Sequence, residues 1–314
     1  MPSTSPGSSP RLKIAIAGSS GLVGSELVPF LLTGGHQVIR LVRSGKVGSN
    51  QDGTTSIAWN PDQGELHPGD LDGIDAVINL AGVGIADKRW SQERKERIRN
   101  SRVASTTLLA GTLAKLKQQP KVFFSASAIG YYPPSGDQPL YEDHAAGKGF
   151  LPEVCQAWEA STRQAEEAGI RTVHGRIGIV LSARGGALAA QLPLFRWCLG
   201  GRIGPGTQFM SWIDISDLIR AIHFCLMNDV MLGAVNLTAP GNTTNLEFTK
   251  TLGRVLKKPT VLPAPAWVLR VALGEMAEAL LLSSLRVVPQ RLQQAGFTFD
   301  YPQLEMALRH QLGC

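Results

Sequence analysis

Three glycines near the start of the chain have the spacing of a loop that binds a phosphate group. They follow an apolar segment, Leu12–Ala17, and open a helical pattern. In such a loop the first glycine permits a tight turn, the second lets the backbone approach a pyrophosphate, and the third lets helix and strand pack closely. A glycine turn selected only for packing is the alternative. The residues predicted to hold the phosphates at the helix N-terminus are Gly18, Ser19, Ser20, Gly21, Leu22, Val23 and Gly24.

The residue after the second predicted strand indicates which dinucleotide is bound. Arg43 follows Gln37–Val42, about 20 residues after the glycines, where NAD-binding proteins place Asp or Glu on the ribose hydroxyls. A carboxylate would repel a 2′-phosphate, whereas a guanidinium can pair with it. The pattern therefore favours NADP(H), with a solvated charge at a strand end as the alternative. Arg40, earlier in the strand, receives no role from this pattern.

Strands and helices alternate through the first half of the chain, which predicts an α/β fold with a doubly wound parallel sheet. The predicted strands are Leu12–Ala17, Gln37–Val42, Thr55–Trp59, Ala76–Leu80, Lys121–Ala126 and Thr172–Leu181, and the helices between them are Gly21–Leu32, Ser91–Leu116 and Leu151–Ala168. A cofactor-binding domain is predicted over 11–182, after a disordered Ser- and Pro-rich tail over 1–10.

The pattern changes after residue 182, and a lobe that covers the substrate is predicted over 183–314. It packs on the first domain and returns late strands and a helix to it around 209–237. The predicted helices are Leu188–Leu199, Ile215–Met227, Asn245–Leu256, Ala266–Leu282 and Gln303–Leu312, and short strands are expected near Phe209–Ile213, Ala234–Leu237 and Thr260–Leu262. Within Trp267–Leu282, core packing is favoured over a surface for a partner.

Composition excludes several classes of protein. Of 314 residues 43% are hydrophobic, which is enough for a sizeable core and excludes global disorder. The net charge of +6 is spread over 31 basic and 25 acidic residues, so nucleic-acid binding is not favoured. The basic segment Lys88–Arg102 contains one aromatic residue and is interpreted as a solvated helix face. The six histidines are scattered, so no metal site is predicted.

The four cysteines form no CxxC pair, which favours reduced thiols in a cytoplasmic protein, with an organelle stroma as the alternative. The N-terminus lacks the apolar region of a secretory signal, and no segment is long and uncharged enough to span a membrane. The partners expected are therefore a small-molecule substrate and, beyond it, a second copy of the chain or another protein.

Several motifs together resemble a known family. They are Gly18-x-x-Gly21-x-x-Gly24, Asn79-Leu-Ala-Gly82, Ser125-Ala-Ser127, Arg89-Trp90, Ser101-Arg102, Trp158-Glu159, Arg176-Ile-Gly178, Trp212-Ile-Asp214 and a tail from Val288-Pro289 to Gly296-Phe297. The chain resembles the atypical extended short-chain dehydrogenases/reductases, in the "epimerase family protein" (unit 39U) branch of the NAD(P)-dependent epimerase/dehydratase superfamily. The resemblance implies a Rossmann-type fold with a small C-terminal domain of unknown function.

The resemblance also implies roles for individual residues. Leu80, Ala81 and Gly82 would pass along the cofactor ribose, and Arg102 and Val180 would contact the cofactor. Ser127 falls at the position of the superfamily's catalytic Ser or Thr, where its hydroxyl could bond a substrate carbonyl or alcohol. A hydroxyl that only satisfies the nearby backbone is the alternative for Ser127.

The superfamily's usual proton donor is missing. No Tyr-x-x-x-Lys occurs in the chain, and the aligned position reads Cys155-Gln-Ala-Trp-Glu159. Cys155 and Glu159 share a helix face, so the carboxylate is expected to raise the pKa of the thiol. Glu159 is expected to be structural, or a general base if it is buried. The other candidate acids are Tyr131, Tyr132 and Asp214.

The sequence thus supports two functions. The first is an NADP(H)-dependent oxidoreductase or epimerase-like enzyme acting on a small, sugar- or nucleotide-like substrate, with Ser127, Tyr131 and Asp214 as catalytic candidates. The second is a non-enzymatic NADP(H)-binding regulatory or scaffold protein, since related cyanobacterial and plastid members are linked to division-site control. The glycine loop and Ser127 favour the enzyme, and the missing Tyr-x-x-x-Lys favours the regulator.

Overall fold

The computed structural model describes residues 10–43 and 47–314, so most of the predicted N-terminal tail lies outside the described residues. The strands are β1 (Lys13–Ala17), β2 (Gln37–Val42), β3 (Gly48–Ser49), β4 (Thr55–Ala58), β5 (Ala76–Asn79), β6 (Val122–Ala128), β7 (Pro139–Leu140), β8 (Arg171–Ile177), β9 (Ile179–Leu181), β10 (Phe209–Met210), β11 (Trp212–Asp214), β12 (Gly233–Leu237), β13 (Thr243–Thr244) and β14 (Arg286–Val287). The helices are α1 (Leu22–Thr33), α2 (Gln92–Ala114), α3 (Phe150–Ala160), α4 (Arg163–Glu167), α5 (Gly186–Arg196), α6 (Ile215–Met227), α7 (Asn245–Leu256), α8 (Ala266–Leu273), α9 (Glu275–Ala277), α10 (Gln290–Gln294) and α11 (Leu304–Leu312).

The central sheet has the predicted doubly wound topology. Among the described residues its order is β12-β8-β6-β5-β1-β2-β4-β3, and every neighbouring pair is parallel except β3 with β4. The chain first builds outward from β1 through β2 and then returns to the other side of β1 with β5. This reversal between β1 and β5 is the switch point at whose carboxyl edge such folds bind ligands.

Two hydrophobic cores flank the sheet because successive strand residues point to opposite faces. Ile14 and Ile16 of β1 join one core, which contains side chains of α1 and α6. Ala15 and Ala17 join the other, which contains side chains of α2 and α4. The parallel strands are apolar on both faces for this reason.

The C-terminal lobe has a third core around the fully buried Trp212. Side chains of α5, α7 and α11 form it, including Phe195, Phe248 and Leu308. The lobe also contributes to the main sheet, because β12 pairs with β8 and α6 packs beneath it. Of residues 209–237, α6 and β12 therefore join the layers of the main sheet, whereas β10 and β11 pair with β13 and β9 in two-stranded sheets.

Several elements predicted from the sequence differ from the structure, among them the strand predicted over Thr172–Leu181, which divides into β8 and β9. Thr260–Leu262 forms no strand, and only Ala264 makes an isolated bridge, to Ile203. Prolines on either side remove backbone donors there. The predicted helix over 266–282 ends its first part at Gly274, whose φ is 63°, and the helix over 151–168 is interrupted between α3 and α4. In the described part of the chain, no helix is long and apolar enough to cross a bilayer.

Candidate functional site

The glycine loop lies at the switch point, between β1 and α1. Gly18 has a φ of 80°, and a Cβ there would stand 2.7 Å from the carbonyl carbon of Leu80. At Gly24 a Cβ would stand 2.7 Å from Cα of Ser19. Packing inside the protein thus requires glycine at both positions, and the turn is pressed against the loop that follows β5.

Gly21 is different, because nothing in the protein requires it to be glycine. Its φ is −75°, and a Cβ there would meet only the oxygen of Gly18, at 3.4 Å. It caps α1 without a side-chain hydrogen bond, and no acidic residue occupies the first turn. The N–H groups of that turn have no intrahelical partner. The open side of Gly21 therefore offers backbone donors and space to an anion.

The other residues of the loop divide between surface and core. Ser20 is exposed and Ser19 is buried. Val23 packs against the core, and Leu22 lies beneath Gly185, where a Cβ would stand 3.0 Å from its Cδ1. The chain after β9 therefore passes over the start of α1.

Arg43 lies at the same edge as the glycine loop. Leu41 of β2 pairs in register with Ala17 of β1, and Arg43 is the exposed second residue beyond it. Arg40 instead bonds within the protein, through Nε to Oγ1 of Thr54 at 3.0 Å and through an ion pair with Asp52. Of the two guanidiniums, Arg43 is the one that faces solvent at this edge.

The loop over residues 80–82 is shaped by Asn79, which is fully buried at the end of β5. Its Oδ1 accepts the N–H of Ala81 at 3.1 Å, and its Nδ2 donates to Oγ1 of Thr106 at 2.8 Å. Trp158 donates to the same threonine oxygen at 3.0 Å. These bonds hold Leu80 and Ala81 against Gly18.

Arg102 lies under this loop, and a Cβ on Gly82 would stand 3.2 Å from its Cζ. Its guanidinium donates to the carbonyls of Ile98 and Val83 and lies over the ring of Trp158. Burial lowers the pKa of Arg102 to about 10, so it remains a cation at neutral pH. Within the described ranges it makes no ion pair with an acidic side chain, and its hydrogen bonds go to backbone carbonyls.

Val180 lies in β9, in register with Ile213 of β11. A Cβ on Gly186 would stand 3.7 Å from the Val180 oxygen and 3.2 Å from Leu22. The structure therefore brings the β9 segment and the glycine loop together, although they are far apart in sequence.

Ser127, Glu159 and Arg176 form a hydrogen-bonded row at the carboxyl end of β6. The Ser127 hydroxyl donates to Oε1 of Glu159 at 2.7 Å. Arg176 donates to both carboxylate oxygens, from Nε at 2.8 Å and from Nη2 at 2.9 Å. Ser127 and Arg176 are in register on β6 and β8, and Glu159 reaches them from α3.

The row continues into a buried network. Arg176 also donates to the hydroxyl of Tyr132 at 2.8 Å, and that hydroxyl donates to Oδ1 of Asn236 at 2.7 Å. The guanidinium lies 3.5 Å above the ring of Tyr131. Within the described residues the Tyr131 hydroxyl makes no hydrogen bond, whereas burial raises the pKa of Tyr132 to about 12. Tyr131 is therefore the tyrosine whose hydroxyl is available to a ligand.

Cys155 is a buried free thiol with a raised pKa. Burial, and after it the charge of Glu159, raises the pKa of Cys155 to about 12. The thiol lies 3.7 Å from the carbonyl of Ala128. The carboxylate has the expected effect on the thiol, but burial is the larger cause.

Asp214 has the contacts of a helix cap. It is fully buried, and its Oδ1 accepts the N–H of Ser216 at 2.8 Å at the start of α6. Its Oδ2 accepts from Gln311 at 2.8 Å. Burial raises its pKa, but both oxygens are engaged in holding α6 and α11, and these bonds account for the residue without catalysis.

Sequence reasoning did not assign Arg176 or Asn236 to the site. Arg176 could have been found from the register of two parallel strands, since it pairs with Ser127. Asn236 joins through β12, which no local motif connects to Tyr132. The described residues contain no group of three or more His, Cys, Asp or Glu side chains placed to hold a metal ion.

Comparison with known proteins agrees with this architecture. Residues 14–237 match the NAD dependent epimerase/dehydratase family, and residues 264–311 match a domain of unknown function, DUF1731. The chain belongs to the NAD dependent epimerase/dehydratase family. The family assignment made from the motifs is therefore confirmed, including the small C-terminal domain.

Relatives and solved structures span the chain. An epimerase family protein of Mycobacterium bovis is 42% identical over 295 residues, covering 94% of this chain and 96% of the relative. One of Staphylococcus aureus is 37% identical over 294 residues, covering 93% and 96%. The crystal structure of the human epimerase family protein SDR39U1 (isoform 2) with NADPH has a TM-score of 0.86 at 31% identity, covering 96% of this chain and 99% of that one.

A second structure, described as a nucleoside-diphosphate sugar epimerase from Corynebacterium glutamicum, has a TM-score of 0.79 at 35% identity. The match covers 97% of this chain and 59% of that one, so that protein extends well beyond the shared fold.

The NADP(H) prediction made from Arg43 agrees with the ligand of the human protein, which was crystallised with NADPH.

Proposed function

We propose that this protein is an NADP(H)-dependent oxidoreductase that oxidises a hydroxyl group of a small substrate or reduces the corresponding carbonyl, alone or within an epimerisation. The observation that carries the proposal is the Ser127–Glu159–Arg176 row at the carboxyl edge of the sheet, on the same edge as the glycine loop. It supplies a proton route where the family's usual Tyr-x-x-x-Lys is absent.

The residues present fit the cofactor. Gly21 and the first turn of α1 leave space and N–H groups for the pyrophosphate, and the exposed Arg43 would pair with the 2′-phosphate. Leu80, Ala81 and Gly82 would border the ribose, and Val180 the nicotinamide end. Arg102 would offset charge from below Gly82. The nicotinamide, when bound, supplies or accepts the hydride.

The direction of the Ser127 hydrogen bond defines what Ser127 can offer a substrate. A serine hydroxyl has one hydrogen, and here it is donated to Glu159. Oγ is therefore an acceptor toward the site and suits a substrate hydroxyl. As that substrate is oxidised, its O–H proton passes to Oγ of Ser127 while the Ser127 proton passes to Oε1 of Glu159. Reduction of a carbonyl reverses both transfers.

Arg176 pairs with Glu159 in this proton route. Burial alone disfavours the charged guanidinium, but the hydrogen bonds and charge of Glu159 raise the pKa of Arg176 above its ordinary value. The bidentate pair fixes the position of the Glu159 carboxylate, so that Oε1 stays within hydrogen-bond distance of the Ser127 hydroxyl. The Glu159 side chain is 12% exposed, so a proton stored on it can exchange with water. Tyr131, above which Arg176 lies, would contact the substrate.

The proposal is tested with a panel of sugar, nucleotide-sugar and simple hydroxyl and carbonyl compounds. Formation of NADPH from NADP⁺, or its consumption, is followed by absorbance at neutral pH. Turnover that disappears in Ser127→Ala supports the proposal, and NADPH binding is measured alongside by fluorescence. Binding without turnover of any compound would contradict it.

A non-enzymatic NADP(H)-binding regulator is the second candidate. The buried Cys155 in place of the usual tyrosine favours it, because a thiol with a pKa of about 12 cannot take over that residue's proton transfer. This function requires that the wild type binds NADPH with full affinity but turns over no compound. It also requires that Ser127→Ala binds NADPH with the same affinity. For either function, four free cysteines among the described residues suit a reducing compartment such as the cytoplasm.

A further inference from the structure

Several large apolar side chains of the C-terminal lobe are exposed on chain segments that contact one another. We call this surface the tryptophan face, and its members are Trp197, Leu199, Val261, Leu262, Trp267, Val268 and Val271. Trp197 is 78% exposed and Trp267 is 69% exposed. Scattered apolar residues need no explanation, but several on adjacent segments do.

The three segments that carry these residues are in contact. Ala264 forms a parallel bridge with Ile203, and its N–H donates to the carbonyl of Arg202 at 2.9 Å. A Cβ on Gly201 would stand 2.5 Å from the carbonyl carbon of Leu262. The chain after α5 and the chain before α8 therefore run side by side, which places Leu199 next to Val261 and Leu262.

Helix α8 extends this surface and is not part of the core. None of its residues is buried. Ala266, Leu269 and Leu273 are half-buried and share one side, and Ala266 contacts the position of a Cβ on Gly204. Trp267 and Val271, one turn apart, are exposed. The core packing predicted for this part of Trp267–Leu282 is therefore wrong, because Trp267, Val268 and Val271 are exposed and only the opposite side of the helix packs on the protein.

Most of the charged residues around the tryptophan face are basic. No Asp or Glu occurs between Glu167 and Asp214, or between Glu247 and Glu275. The exposed basic residues of these two segments that border the face are Arg196, Arg202, Lys257, Lys258 and Arg270. Arg270 pairs with Glu278. Over 10–43 and 47–314, Arg196, Lys257 and Lys258 have no acidic partner.

We propose that the tryptophan face docks on the surface of a bilayer that contains anionic phospholipid. Tryptophan rings favour the headgroup level of a bilayer, and short amphipathic helices lie in that plane with apolar residues inward. Lysines and arginines beside them are attracted to anionic headgroups. A folded acidic protein would provide negative charge to pair with these basic residues. That charge alone would not explain why two tryptophans and three valines are exposed on a face where the described residues form no concave pocket.

The experiment uses the full chain and sedimentation with phosphatidylcholine vesicles, with and without phosphatidylglycerol. We expect binding only to the anionic vesicles, a blue shift of tryptophan emission, and loss of binding at about 0.5 M salt. Trp197→Ser/Trp267→Ser should bind roughly tenfold more weakly or worse and should lose the shift. Lys257→Glu/Lys258→Glu should also bind roughly tenfold more weakly.

Matched variants away from the tryptophan face control for nonspecific hydrophobic binding and for the change in net charge. Val230→Ser/Leu232→Ser removes exposed apolar side chains, and Lys117→Glu/Lys121→Glu reverses exposed charges at the amino edge of the sheet. Both should bind as the wild type does, and circular dichroism checks that each variant is folded.

Several outcomes would overturn the proposal. One is a wild-type protein that does not bind anionic vesicles, and another is tryptophan-face variants that bind them with wild-type affinity. Binding to polyglutamate without binding to vesicles would assign the face to an acidic protein. A dimer lost in Trp197→Ser/Trp267→Ser, without vesicle binding, would assign it to a second copy of the chain. None of these results depends on the proposed oxidoreductase activity.

Discussion

The hydroxyl of Ser127 donates its only hydrogen to Glu159, 2.7 Å away. The serine is thereby fixed as an acceptor toward the site for as long as Glu159 is ionised. Glu159 therefore bonds to the hydroxyl of Ser127 on β6 and to the guanidinium of Arg176 on β8. The thiol of Cys155, four residues earlier on α3, is not one of its hydrogen-bond partners. In the proposed mechanism, Glu159 and Ser127 together take the place of the tyrosine–lysine pair.

The first prediction separates this row from Cys155. Ser127→Ala and Glu159→Gln should each lower turnover by ~10²-fold or more, the scale of acid–base assistance, because each removes a step of the proton route. NADPH affinity should stay within a few-fold of wild type. The measurement is steady-state turnover on an active substrate, together with cofactor fluorescence.

Cys155→Ser is the matched control, since it changes one atom on the same helix. It should alter turnover less than a few-fold, because the thiol has a pKa of about 12 and is engaged with Ala128. Loss of activity in Cys155→Ser with retention in Ser127→Ala would show that the site is assigned to the wrong residues.

The second prediction concerns the buried ion pair. Arg176 is 4% exposed, and Arg176→Ala would leave Glu159, whose side chain is 12% exposed, without its charged partner. Removing one member of a buried pair costs about 3–5 kcal/mol in free energy of unfolding. Arg163→Ala, which breaks the exposed pair with Glu167, should have no measurable effect. Chemical denaturation of both variants provides the comparison, and equal small losses would contradict the prediction.

Sequence reasoning could find the glycine loop because its evidence is local. The strand, the three glycines and the helix follow one another, and the topology places the loop at the switch point. It could not find the Ser127–Glu159–Arg176 row, because each residue comes from a different element. Only the register of β6 against β8 and the packing of α3 bring them together.

Helix α8 shows a second limit of sequence reasoning. Its apolar residues recur at helical spacing, which correctly predicts a helix and which residues share a side. Periodicity does not say whether anything covers that side. The prediction of core packing failed because Trp267 and Val271 face solvent in this chain.

The third prediction concerns cofactor choice. Arg43→Ala should weaken NADPH binding by ~1.5–3 kcal/mol, roughly ten- to hundredfold, because one charge-assisted pair with the 2′-phosphate is lost. NADH binding should change little. Arg40→Ala is the matched control, since Arg40 is held by Asp52 and Thr54. Titration of both cofactors by fluorescence tests the claim, and an equal loss for NADH and NADPH would refute it.

The fourth prediction separates glycines that serve packing from the one that serves the ligand. Gly21→Val should fold normally and lose NADPH binding, because its side chain would fill the open side of the loop. Gly24→Ala should instead destabilise the fold, because its Cβ would overlap Ser19. Thermal unfolding and NADPH titration distinguish the two. A Gly21→Val protein with native affinity would place the phosphates elsewhere.

The fifth prediction rests on two neutral histidines. The Nδ1 of His36 accepts the N–H of Leu12 at 3.1 Å, so the ring hydrogen lies on Nε2, which is 3.0 Å from Nε2 of His223. Burial lowers the pKa of His36, and burial together with the charge of His36 lowers that of His223. The folded state therefore resists protonation that the unfolded chain accepts.

The sign of the pH dependence follows from these lowered pKa values. The stability contributed by the pair is complete above the unfolded pKa of about 6.5 and declines as the pH falls below it, by up to ~1.4 kcal/mol per pH unit for each histidine. His223→Gln keeps an acceptor for His36 without titrating, so its free energy of unfolding should fall less between neutral and mildly acidic pH. His67→Gln, at an exposed histidine, should follow the wild type. Urea denaturation across that range is the measurement, and parallel curves for wild type and His223→Gln would mean that the pair does not set the acid limit of the fold.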